Sequence, residues 1–79
     1  MSRQKQLRLV LSFRTAAAAM ELERLCLDRG LPGRLIPTPR QITADCGLAW
    51  SAPPEAEAAL RAAAEESGVL LDGTYYLEI

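Results

Sequence analysis

Two short apolar runs in the middle of the chain, Leu35-Ile36 and Leu48-Ala49-Trp50, bracket a loop containing Pro37, Thr38, Pro39, Arg40 and the pair Cys46-Gly47. Short apolar runs bounded by proline and glycine read as strands, so the loop is held between two of them. Pro37 and Pro39 each fix φ near about −65° and push the residue before them towards extended backbone. Thr38 and Arg40 are therefore expected to be presented from a narrow range of shapes. Gly47, without a Cβ, permits a tight turn or the close approach of a partner's backbone beside the Cys46 sulfur.

The flanks supply the rest of the sheet and two helices. Leu7, Leu9, Leu11 and Phe13 alternate with Arg8, Val10, Ser12 and Arg14, the period of a strand with one face on a core. Thr15 is placed to cap a helix that runs to about Arg29 and stops at Gly30, a residue suited to the left-handed end of a helix. On that helix Ala18, Leu22, Leu25 and Cys26 share a face, which makes Cys26 a core residue. Met20 and Leu27 lie nearly opposite and read as scattered surface apolars rather than a contact patch.

Leu31-Pro32-Gly33 turns the chain into a second strand, Arg34 to Pro37, and the third is expected from Gly47 to Ser51. Pro53-Pro54 with Glu55 and Glu57 opens a second helix, since proline is tolerated in a first turn and carboxylates there meet the positive end of the helix dipole. This helix should reach Ser67, end at Gly68, and bury a small-residue side made of Ala56, Ala59, Leu60, Ala63 and Ala64. Of the two remaining runs, Val69-Leu70-Leu71 and Tyr75 to Ile79, the last is favoured as strand four, after an Asp72-Gly73 turn signal. The order βαββαβ predicts an α+β, ferredoxin-like domain: a four-stranded antiparallel sheet with both helices on one face. Its open face is then a natural site for pairing with a second copy.

With 79 residues there is room for one domain, in which about 60 to 65% of the unfolded chain's surface can be buried. A net charge of −1 lacks the basic footprint of a duplex-binding protein, so nucleic acid is not an expected partner. No apolar run approaches the length of a membrane span, and Arg8 and Arg14 interrupt the segment that superficially suggests a secretory signal. Histidine is absent, which removes the usual general base and the commonest zinc ligand. Cys26 and Cys46 lack the spacing of a dithiol redox site and are too few for a disulfide-built secreted scaffold or a four-ligand zinc site. The expected setting is the reducing cytoplasm, with no metal and no cofactor.

Cys46 is the residue most suited to chemistry. Arg40 would favour its thiolate and the neighbouring Asp45 would oppose it, so spacing leaves the net direction open. The plainer alternative makes Cys46 a small hydrophobe entering the third strand.

The stretch Arg34-Leu-Ile-Pro-Thr-Pro-Arg40, followed by Cys46-Gly-Leu-Ala49 and preceded by a helix ending Asp28-Arg-Gly-Leu31, resembles the small bacterial domains of the Putative Se/S carrier protein-like family. The resemblance extends from about Leu9 to Ser67. It implies a cytoplasmic ferredoxin-like domain whose motif cysteine, Cys46, carries sulfur or selenium as a persulfide or perselenide, with a cysteine desulfurase or similar transfer enzyme as partner. Thr43-Ala44-Asp45 departs from the serine-like run that many members carry before the cysteine. Such a carrier needs a reachable sulfur and a docking surface, but no general base of its own. Arg34, Thr38, Pro39, Arg40 and Gly47 are the candidate binding residues around it. Two competing readings are a non-catalytic module in which Arg34, Thr38, Arg40 and Thr43 line an anion or small-ligand site, and a structural subunit of a dimer.

Overall fold

A computed structural model describes residues 5–42 and 46–79. The elements follow in the order β1 (Leu7–Ser12), α1 (Ala16–Arg29), β2 (Arg34–Pro37), β3 (Leu48–Ala52), a 3₁₀ turn (Pro54–Ala56), α2 (Glu57–Ser67) and β4 (Gly73–Glu78). The strands form one antiparallel sheet in the order β2-β3-β1-β4. This is the ferredoxin-like α+β arrangement.

Strand parity sorts the side chains. Leu9 and Leu11 of β1, Leu35 of β2 and Leu48, Trp50 and Ala52 of β3 share a core with Leu22, Leu25 and Cys26 of α1 and Leu60 and Ala64 of α2, so both helices cover the same face. The alternate positions Val10, Ile36 and Ala49, joined by Ile42, Tyr75, Leu77 and Ile79, form a smaller apolar cluster on the open face. Burying one leucine side chain contributes about 1.5 to 3 kcal/mol, so α1, with Leu22 and Leu25, carries more of the core than α2, with Leu60 and two alanines.

Both helices end as their sequences dictate. Thr15 Oγ1 accepts the Ala18 N–H at 3.1 Å, and Gly30 closes α1 in the left-handed region with φ 68°. Gly68 closes α2 in the same way. The two prolines ahead of α2 build a 3₁₀ turn first, so the α-helix proper begins at Glu57. Glu57 then ties α2 to β4. Its carboxylate accepts from the Tyr76 hydroxyl and from Arg61 Nε, and Arg61 also donates to Thr74 Oγ1 at 2.6 Å.

Several expectations shift at the margins. The third strand starts at Leu48 rather than Gly47 and reaches Ala52, and the fourth starts at Gly73, because Asp72 N–H already bonds the Ser12 carbonyl at 2.8 Å. Ala19 replaces Ala18 in the fully buried set, and Ala59 faces solvent. Leu7, placed on the core face by alternation, is 53% exposed at the end of its strand, opposite Glu78. Met20 and Leu27 are exposed, as the helical wheel predicts.

Candidate functional site: the loop between β2 and β3

The loop leaves β2 on an edge strand and is pinned at both ends. Past the last register pair, Pro37 with Leu48, the Thr38 N–H donates to the Gly47 carbonyl at 3.0 Å and extends the ladder by one step. The Thr38 hydroxyl donates to the Cys46 carbonyl at 2.9 Å. A turn follows, closed by Ile42 N–H on the Pro39 carbonyl at 3.0 Å, with Arg40 exposed at its crown. Thr43 and Asp45, named above for ligand contact and for charge beside the sulfur, lie outside the described residues with Ala44.

Two apolar side chains anchor the loop to opposite faces of the sheet. Ile42 is buried in the open-face cluster with Val10 and Ala49, whereas Cys46 packs in the helix-side core. Cys46 is 7% exposed, far less than an accessible loop thiol would be, and its Sγ accepts the Leu48 backbone N–H at 3.4 Å. Such a donor binds an anionic sulfur more strongly than a neutral thiol, because charge-assisted hydrogen bonds are roughly twice as strong. Cys26 is buried at 2% in the same core and makes no disulfide; burial pushes its thiol pKa up, since a thiolate there would lose its hydration.

The sequence candidates divide between two places. Thr38, Pro39, Arg40, Cys46 and Gly47 sit together in the loop. Thr38, however, turns inward as a latch on the Cys46 backbone instead of being presented to a ligand. Arg34 is not part of this group. It stands at the other end of β2, about 10 Å away along the strand, and faces the open side while Cys46 faces the helices. Gly47 has no left-handed backbone, and a Cβ there would meet nothing within 4 Å, so the loop does not require glycine at that position for its turn.

The glycine that geometry does require is Gly33. Its φ is 124°, and a Cβ would run into Trp50 Nε1 and lie 2.7 Å from the Ser51 carbonyl oxygen. Trp50 Nε1 is buried without a hydrogen-bond partner among the described residues, with the Gly33 backbone pressed against it. The turn at Pro32-Gly33 is legible in sequence; its contact with Trp50 is a tertiary fact. Two further contributors escaped the sequence reading: the Leu48 amide, which carries no side-chain signal, and Ile42, whose one clue is being an apolar residue in a polar loop.

Among the described residues no three cysteine or carboxylate side chains gather as metal ligands would, and no helix is long and apolar enough to cross a membrane. Comparison with curated proteins and with solved structures returns no match. The sequence model of the family described as Putative Se/S carrier protein-like matches residues 8–76, well over half of the chain and including all of β2, the loop and β3. The chain belongs to the Putative Se/S carrier protein-like family.

Proposed function

We propose that this domain carries a sulfur or selenium atom on Cys46 between a donor and an acceptor protein in the cytoplasm. The observation that supports this reading best is the Leu48 N–H aimed at Cys46 Sγ at 3.4 Å, in a loop where Thr38 holds the Cys46 and Gly47 carbonyls. In the transfer, the Cys46 thiolate attacks the outer sulfur of a donor cysteine persulfide. The new bond joins Cys46 Sγ to that sulfur, the donor's S–S bond breaks, and the donor leaves as a thiolate; no external oxidant or reductant is consumed. Selenium follows the same course with a perselenide. The Cys46 proton passes to water, because the chain has no histidine to take it.

Each loop residue has a part in this reading. Arg40, exposed at the crown, meets an anionic persulfide as the donor approaches. Pro39 stiffens the turn that holds Arg40 out, and the open space over Gly47 leaves room for the donor's backbone. Thr38 holds the loop shut between transfers. A cysteine desulfurase is the expected donor class. In this reading Cys46, 7% exposed at rest, has to become reachable when the donor docks.

That same burial also favours a second reading, in which Cys46 is packing and the domain only binds a ligand. Timed native alkylation with peptide mass spectrometry separates the two. A carrier labels at Cys46 well before Cys26, whereas labelling of neither, or of Cys26 first, supports packing.

A further inference from the structure

We infer that the open face of the sheet holds a second site, distinct from the Cys46 loop, that binds the oxyanion headgroup of a small molecule with a short apolar body. A cavity of about 690 Å³ lies there, lined by Gln6, Arg8, Arg34, Ile36, Ser51 and Ile79 and backed by Gly33. It occupies the Arg34–Ser51 end of the β2–β3 ladder, the end away from the loop, and the face away from Cys46.

Charge is the first argument. Arg14, Arg24, Arg29 and Arg61 each meet a carboxylate, with Asp72, Glu21 and Asp28, Glu66 and Glu57 respectively. Arg8, Arg34 and Arg40 have no carboxylate partner among the described residues, and the first two line this one cavity. Two uncompensated guanidiniums at one concave site favour an anion, and their planar donor forks suit a carboxylate or a phosphate.

The floor of the cavity is the second argument. Ser51 is 4% exposed, and its Oγ accepts Arg8 Nε at 3.0 Å. That bond fixes the half-buried Arg8 side chain and uses one of its five donors, leaving the terminal NH groups free. The hydroxyl keeps its own proton to donate and has no acceptor among the described residues. Arg34 stands directly opposite Ser51 in the register, and Arg8, two residues before Ser51's other partner Val10, reaches the same hydroxyl, so donors from three adjacent strands converge there. Ile36 and Ile79 supply apolar walls, which suits an anion attached to a short hydrocarbon better than a bare ion.

The site is tested by titrating the isotopically labelled protein with inorganic phosphate, butyrate and butyl phosphate, following backbone amide shifts, with sodium chloride at matched ionic strength as the control. Saturable shifts at Arg34, Ile36 and Ser51 are expected with at least one of butyrate and butyl phosphate, more tightly than with inorganic phosphate. Preference between butyrate and butyl phosphate then identifies the headgroup. Arg8→Gln and Arg34→Gln should each weaken binding tenfold or more, whereas Arg24→Gln, which removes a charge on α1, should leave it unchanged. Circular dichroism confirms that each variant is folded. Shifts that never saturate, that chloride reproduces, or that survive both arginine substitutions overturn the inference. The Cys46 proposal stands or falls separately, because its readout is the mass of the cysteine peptide.

Discussion

The Thr38 hydroxyl donates to the carbonyl of Cys46, eight positions further along the chain, at 2.9 Å. With the Thr38 N–H on the Gly47 carbonyl, this makes Thr38 the residue that ties the β2 end of the loop to the Cys46-Gly47 backbone. Thr38→Val preserves shape and removes the hydroxyl donor, at an expected cost of about 1 kcal/mol in chemical denaturation. Because the latch resists opening, the same change should raise the rate of native Cys46 alkylation severalfold, while Thr38→Ser restores the wild-type rate. An unchanged rate in Thr38→Val would show that the hydroxyl does not control access.

Gly33 and Gly47 predict opposite outcomes for one substitution. Gly33→Ala forces a Cβ into the Trp50 indole from a left-handed backbone, so a loss on the order of 2 to 4 kcal/mol is expected. Gly47→Ala meets open space and should change stability by less than about 1 kcal/mol. Denaturant midpoints of the two variants check this, and near-equal costs would place the Trp50 ring elsewhere.

Cys26 gives the alkaline limb of the stability curve a defined sign. Its folded pKa is raised by burial, so the unfolded chain releases the thiol proton first as pH rises. The contribution is intact below the unfolded-state pKa of about 8.5 and is lost progressively as pH climbs from there towards the raised folded value. Cys26→Ala lowers stability at every pH by removing packing, but its curve above about pH 8.5 should fall less steeply than wild type. Parallel curves for the two proteins would mean that the folded and unfolded thiols titrate alike.

How much of this was legible in sequence follows from which interactions are local. The alternation from Leu7 to Phe13, the Thr15 cap and the Gly30 and Gly68 stops all act within a few residues, and the elements they define are present. The loop motif also reads locally, which is why Thr38, Arg40, Cys46 and Gly47 emerge together. Arg34 falls in with them on sequence because it is near in the chain. A strand puts successive side chains on opposite faces, and β2 carries Arg34 to the far side and the far end. The burial of Cys46 and the need for Gly33 depend on what packs from elsewhere, and no spacing within the loop encodes that.

The carrier proposal is tested most directly by incubating the protein with a cysteine desulfurase and cysteine and weighing the peptide that contains Cys46. The account predicts a gain of one sulfur mass on that peptide, absent from the Cys26 peptide, retained in Cys26→Ser and lost in Cys46→Ser, because a hydroxyl cannot hold persulfide sulfur. Arg40→Ala should slow loading without lowering the unfolding midpoint, and Arg40→Lys should recover it if Arg40 acts as a point charge rather than a fork. Sulfur found on Cys26, or on neither cysteine with every desulfurase tried, would contradict the account.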